Sequence, residues 1–73
     1  MSVACIDLYL SLKKHEADRP YVVAVFRLSG PVVENQLFLT YEEAREVAVN
    51  LHLFYGVRLR DFIRRHGVEE MPP

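Results

Sequence analysis

The chain has 73 residues, a formal net charge of −1 and one cysteine, Cys5. A domain of this length buries only about 60–65% of the surface that its unfolded form exposes, so a disulfide, a metal or a partner chain commonly supports it. The lone cysteine excludes an internal disulfide, and His15, His52 and His66 have no Cys or His partner at ligand spacing. The near-neutral charge excludes a strong overall field for nucleic acid or membrane.

Hydrophobic residues make up 51% of the chain and charged residues 26%, which is typical of a folded protein. We expect a single domain over residues 1–67 and a flexible tail over residues 68–73. The first residues lack the apolar run of an export signal, and no stretch approaches the roughly 18 apolar residues of a membrane span. With a lone cysteine, this predicts a cytoplasmic protein.

Three strands are predicted in the first half of the chain. Residues 3–12 alternate between apolar and mixed positions, residues 21–30 are apolar on both faces, and residues 32–39 return after the turn "SGP" at 29–31. Short connections favour an antiparallel meander. The alternation places Val3, Cys5 and Tyr9 on a second sheet face, and we expect them to be joined there by Tyr21, Val23 and Val25.

A helix is predicted over residues 41–55. Thr40 and Glu43 form a T-x-x-E capping box, and Gly56 is a natural stop. The apolar positions at helical spacing, which predict the buried stripe, are Ala44, Val47, Ala48, Leu51 and Tyr55.

A second helix is predicted over about residues 57–66, ending at Gly67 and burying Val57, Leu59, Phe62 and Ile63. The predicted fold class is therefore α+β, a three-stranded antiparallel β-meander followed by two α-helices (β-β-β-α-α) packed on one face. The predicted core consists of Ile6, Leu8, Leu10, Phe26, Leu37, Leu39, Ala44, Val47, Leu51, Phe62 and Ile63.

No motif for catalysis is found. The three glycines are isolated, so none forms a phosphate-binding loop, and no nucleophile or acid–base pair has a supporting local pattern. Cys5 on a strand is typical of a small core or interface residue. We expect a protein that is not an enzyme, with no cofactor, metal or small-molecule ligand.

The apolar residues exceed what one layer of helices can cover. Val49 and Leu53 lie opposite the predicted helix stripe, and the second sheet face is also largely apolar. Either the second helix covers Val49 and Leu53, or one of these surfaces is an interface. We favour an interface and expect a homodimer; a heteromeric partner is the alternative.

Four arginines fall within residues 58–65, namely Arg58, Arg60, Arg64 and Arg65, against a single carboxylate, Asp61. On a helix, Asp61 would pair with neighbours three or four positions away. The cluster suits a solvated helix face, an acidic protein surface or the phosphates of a nucleic acid, and the sequence leaves all three open.

The order strand-strand-strand-helix with "FLTYEEAREVA" at the last strand-to-helix step resembles the small N-terminal DNA-binding domains of some tyrosine integrases. That resemblance implies a sheet that lies in the major groove with basic and aromatic residues on its outer face. The predicted strands of this chain carry only one basic residue, Arg27. In size, acidity and lack of motifs the chain is also similar to small phage- or prophage-encoded inhibitors.

The sequence thus predicts a non-enzymatic protein-interaction module, an inhibitor or adaptor acting on a host protein. The predicted anchors are Tyr21, Leu53 and Phe54, ringed by Arg58, Arg60, Arg64 and Arg65, because aromatic and arginine side chains carry much of the energy of interfaces. The alternative is a nucleic-acid-binding protein that uses the arginine-rich second helix.

Overall fold

A computed structural model describes residues 3–28, 34–63 and 69–73 of the chain. Within these ranges the chain forms five strands and one α-helix, in chain order β1 (Val3–Leu10), β2 (Tyr21–Arg27), β3 (Glu34–Phe38), α1 (Tyr41–Tyr55), β4 (Arg58–Asp61) and β5 (Glu69–Met71). A single 3-10 turn, Lys14–Glu16, lies between β1 and β2. The α+β class predicted from the sequence is confirmed.

The strands form one mixed sheet in the order β3-β2-β1-β4-β5. The first three strands are the antiparallel meander that the sequence predicts, with β2 pairing to both β1 and β3. On the other side of β1, β4 runs parallel to it, and β5 pairs antiparallel with β4. Since β3 and β4 point the same way, the chain needs a crossover between them, and α1 supplies it.

One face of the sheet packs against α1 and forms the core. Strand alternation and the register Ile6↔Val25 and Leu8↔Val23 bring apolar side chains of β1 and β2 together on this face. The buried cluster consists of Ile6, Leu8, Val23, Val25, Ala44, Ala48 and Leu59. The two helix alanines are fully buried, so the small side chains let α1 lie close to the sheet.

The helix begins and ends where the sequence predicts. The Thr40 hydroxyl accepts a hydrogen bond from the Glu43 amide at 3.2 Å, which satisfies one of the free N–H groups of the first turn. At the other end Gly56 adopts a left-handed conformation with φ of 65°, and its amide donates to the His52 carbonyl. His52 is buried, and its ring Nδ1 is hydrogen-bonded to the Val57 carbonyl.

The predicted second helix over residues 57–66 is wrong. Residues 58–61 form β4, and no helix is found over residues 57–63; residues 64–66 lie outside the described part. The segment alternates with period two, so that Leu59 and Asp61 face the helix while Arg58 and Arg60 face the other side. Leu59 is fully buried beside Ile6, and this burial together with pairing to β1 favours the strand.

The register also corrects the predicted sheet faces. Tyr21, Val23 and Val25 lie on the helix side with Leu8, and not on the second face. Because β2 is apolar on both faces, its own sequence cannot tell which set points to α1. The second-face residues of β2 are Val22, Ala24 and Phe26.

The predicted core is correct in part. Ile6, Leu8 and Ala44 are fully buried, and Leu51 and Ile63 pack against the buried cluster. Three predicted core side chains are instead exposed, Leu10, Leu39 and Phe62, and three are half-buried, Phe26, Leu37 and Val47. Val49, expected on the solvent side of the helix, packs against the core.

Residues 69–71 belong to the segment for which the sequence predicts a flexible tail. They form β5, whose Met71 lies opposite Leu59 and packs against the core. The Arg45 guanidinium also donates to the Met71 sulfur at 3.6 Å, so α1 and β5 are in direct contact.

Candidate functional site

The sheet face turned away from α1, which we call the open face, is the candidate site. The strand registers arrange its side chains in three rows that run across the strands. The apolar row contains Leu37, Val22, Tyr9 and Phe62; the polar row contains Asn35, Ala24, Asp7, Arg60 and Glu70; the third row contains Phe26, Cys5 and Arg58. Among the described parts of the chain α1 is the one α-helix, and it covers the opposite face.

The apolar row presents large side chains that are not fully covered. Tyr9 and Leu37 are half-buried on either side of Val22, which is buried between them. Phe62 follows the end of β4, where its amide donates to the Leu8 carbonyl at 2.9 Å, and its side chain is 44% exposed. Aromatic and aliphatic groups therefore line one end of the open face.

A cavity of about 310 Å³ opens beside this apolar row. Tyr9, Val22 and Leu37 form its apolar wall, and residues 11–13 line its other side. This volume is at the lower limit for small-ligand sites, and a groove of this size also accepts a single large side chain. Leu12 at its border is 96% exposed.

The polar row is organised around an ion pair at the centre of the face. Arg60 donates from Nε and Nη2 to the two carboxylate oxygens of Asp7, at 2.7 and 2.8 Å. This two-bond geometry fixes both side chains in one orientation. The Arg60 guanidinium also lies 5.4 Å from the centre of the Phe62 ring, a cation–π contact that joins the polar row to the apolar row.

Cys5 lies next to this ion pair and is a weak nucleophile there. Its sulfur is 3.9 Å from Asp7 Oδ1 and 3.9 Å from Arg60 Nη2. Burial raises the pKa of the Cys5 thiol, and the Asp7 carboxylate raises it further, while Arg60 acts in the opposite direction. The hydrogen bond to Asp7 raises the pKa of Arg60, so its positive charge is secure. At neutral pH the raised pKa favours the thiol form of Cys5 over the nucleophilic thiolate.

A second polar cluster lies on the helix side and holds the fold together. Asp61 is fully buried, and its Oδ2 accepts from the Tyr41 hydroxyl at 2.5 Å and from Arg45 Nη1 at 2.6 Å. Its Oδ1 accepts from the Ile63 amide at 2.9 Å. With both oxygens bonded and no exposed surface, this carboxylate ties β4 to α1 and is not open to a ligand.

The residues predicted as the partner-binding site do not lie together. Tyr21 is half-buried on the helix side, with its ring edge against Tyr41 at 6.3 Å. Leu53 and Phe54 are 69% and 79% exposed in the last turn of α1.

Two of the four predicted arginines lie on the open face, and the other two lie outside the described residues. Arg58 and Arg60 point to the open face, Arg58 exposed and Arg60 paired with Asp7. Arg64 and Arg65 lie outside the described residues.

Sequence reasoning missed several residues of the open face. Tyr9 and Cys5 were assigned to it by alternation along β1, whereas Phe26, Leu37 and Phe62 were expected in the core. The sequence pattern that predicts the position of Phe62 is the alternation of residues 58–62, because in a strand residue 62 lies on the same side as Arg58 and Arg60.

Within the described ranges no three His, Cys, Asp or Glu side chains come together in a way that could hold a metal ion. The helix in this part of the chain is neither long nor apolar enough to cross a membrane. In comparisons with known proteins, no family model, no curated protein and no solved structure matches this chain.

Proposed function

We propose that this chain is a non-enzymatic protein-interaction module that binds its partner with the open face of the sheet. The observation that carries the proposal is the row of large apolar side chains on a face that α1 does not cover. Tyr9 and Leu37 are half-buried and Phe62 is 44% exposed, so part of the row is apolar surface, which on small domains is typical of interaction sites.

The composition of the open face supports this proposal. Tyr9, Phe26 and Phe62 are aromatic, and aromatic and arginine residues are enriched where interfaces gain most of their energy. Arg60 is already held by Asp7, so little side-chain freedom is lost when a partner covers it. Arg58 is exposed at the border of the face, where a charge contributes mainly to the rate and specificity of association.

The side chains of the open face indicate what kind of module this is. They provide apolar anchors for a partner, and the cysteine among them is not activated, so the module would either block a surface of the bound protein or link that protein to another one. An inhibitor or adaptor that acts on a host protein fits this description. Nucleic-acid binding stays a prediction; the helix 57–66 on which it depended is absent over residues 57–63.

The experiment compares one variant on the open face with one on the helix. The immobilised wild type, Leu37→Lys and Phe54→Lys are used to capture proteins from the source cell, with far-UV circular dichroism to confirm that each is folded. Leu37 is half-buried in the apolar row, whereas Phe54 is exposed on α1. We expect Leu37→Lys to reduce capture at least tenfold and Phe54→Lys to leave it unchanged.

Two results would contradict the proposal. Loss of capture with Phe54→Lys but not with Leu37→Lys would place binding at the end of α1. Duplex DNA binding by the wild type at about 50 mM salt that weakens with added salt and is lost in Arg58→Ala would favour nucleic acid instead.

A further inference from the structure

We infer that the partner on the open face is a second copy of this chain, and that two copies pack face to face through their sheets. This inference rests on the proposed function, because it names the occupant of the same surface. The resulting dimer is a two-layer sandwich of sheets with an α1 helix on each outer side. Three observations carry it: the area of the face, its charge balance and the arrangement of its rows.

The area of the open face suits a weak dimer. The five strands of the sheet contain 27 residues in all. With strands about 4.8 Å apart and a rise of about 3.3 Å per residue, they cover about 430 Å². Two such faces together reach about 860 Å², an area typical of weak association, so we expect a dissociation constant of roughly micromolar or above.

The charges of the three rows cancel, which suits contact with an identical surface. The three rows contain two carboxylates, Asp7 and Glu70, and two guanidinium groups, Arg58 and Arg60. Asp7 and Arg60 neutralise each other within one copy. A face with a net charge of one sign would repel its own copy, whereas this one does not.

The rows set the geometry of the dimer. Sheets that pack face to face keep their strands aligned to within about 30°. A twofold axis parallel to the strands places the apolar row of one copy on the apolar row of the other, and it reverses the order across the row. Leu37 at one end of the row then faces Phe62 of the second copy. Because the axis is twofold, the same contact forms again at the other end of the row.

The exposed end of α1 is the competing surface, and it is smaller. Its large apolar side chains are Leu53, Phe54 and Tyr55, and the rings of Phe54 and Tyr55 already pack on each other at 5.0 Å. One helical turn cannot supply an area comparable with that of the sheet. It serves as the control surface in the experiment.

The test is sedimentation equilibrium over about 2 to 200 µM, a range chosen to bracket the expected affinity. The proteins are the wild type, Leu37→Lys, Phe62→Glu and Phe54→Lys, each confirmed as folded by circular dichroism. We expect the wild type and Phe54→Lys to show the same monomer–dimer equilibrium. Leu37→Lys and Phe62→Glu should each raise the dissociation constant at least tenfold.

Mixing the two open-face variants tests the geometry. In a mixed dimer Leu37→Lys of one copy faces Phe62→Glu of the other, and the two introduced charges are opposite, so an equimolar mixture should dimerise more tightly than either variant alone. Phe62 is 44% exposed, so Phe62→Glu can be read even if Leu37→Lys fails to fold. Failure of the mixture of folded variants to dimerise more tightly than either variant alone would overturn the aligned twofold arrangement.

The two proposals fail in different ways. A wild type that remains an 8.5 kDa monomer throughout the range would overturn the self-association. If Leu37→Lys still abolished capture of another protein in that case, the proposed function would stand without the dimer. A dimer lost in Phe54→Lys but kept in Leu37→Lys and Phe62→Glu would overturn the inference and move the interface to α1.

Discussion

Replacing Arg45 by methionine should destabilise the fold more than neutralising its partner Asp61. Arg45 lies on α1, and Asp61 lies on β4. Met keeps most of the aliphatic stem of Arg45 but removes the charge, so the Asp61 carboxylate stays buried without its cationic partner, while the Tyr41 hydroxyl and the Ile63 amide still donate to it. In Asp61→Asn the arginine remains charged, but it can still reach water because its side chain is 19% exposed.

The magnitudes follow from this asymmetry. Breaking a buried ion pair costs about 3–5 kcal/mol, and the two remaining donors place Arg45→Met at the low end, about 3 kcal/mol. Asp61→Asn should cost about 1–2 kcal/mol, because a neutral group with most of its hydrogen bonds replaces the carboxylate. A 73-residue domain has a total stability of roughly 4–11 kcal/mol. The loss in Arg45→Met should therefore lower Tm by about 12–24 °C.

The assay is urea unfolding followed by circular dichroism at 222 nm, since the chain has no tryptophan. Arg58→Met is the matched control, because Arg58 is exposed on β4, and it should change the free energy of unfolding by less than about 0.5 kcal/mol. If Arg45→Met behaved like this control, or if Asp61→Asn cost more than Arg45→Met, the buried carboxylate would not depend on Arg45 and the reasoning would fail.

Three further predictions use the same fold. Leu59→Ala should lower the free energy of unfolding in urea by about 3 kcal/mol, because Leu59 is fully buried, and Leu53→Ala by less than about 0.5 kcal/mol, because Leu53 is 69% exposed. Equal losses would contradict the burial of Leu59 on β4. Gly56→Ala should lower the free energy of unfolding by about 1 kcal/mol. The cause is the left-handed backbone alone, because a Cβ at this position meets no atom within 4 Å, and an unchanged urea midpoint would show that alanine is not strained there. Because burial and then Asp7 raise the pKa of Cys5, its alkylation rate should reach half-maximum at a higher pH in the folded chain than in urea, and a lower midpoint would disprove the buried setting.

How much of the candidate site could be predicted depends on which strand contributes the residue. Alternation along β1 places Val3, Cys5, Asp7 and Tyr9 on the second face. The structure agrees for Cys5, Asp7 and Tyr9, whereas Val3 packs against the core, because the register shifts between Val3 and Cys5. For β2 the prediction chose Tyr21, Val23 and Val25, which is the wrong set. Both faces of β2 carry apolar residues, and only its register with β1 decides which set meets α1.

Local interactions determine what the sequence predicts well. The strand alternation of β1, the Thr40 cap and the Gly56 stop each involve residues a few positions apart, and α1 has the predicted bounds of 41 and 55. The turn predicted at residues 29–31 lies outside the described residues. Their physical basis is contained within each segment, because a cap or a turn needs no distant partner.

Tertiary structure alone decided the fate of residues 58–61. The period-two pattern of these four residues is too short to decide between strand and helix, and the strand forms because β1 offers it a hydrogen-bonding edge more than 50 residues away. The same long-range pairing buries Leu59 and Asp61 against α1 and turns Arg58 and Arg60 to the open face. The number of arginines can be read from the sequence. Their surroundings depend on pairing between strands that are distant in the chain, and a local sequence pattern does not predict the free energy of that pairing.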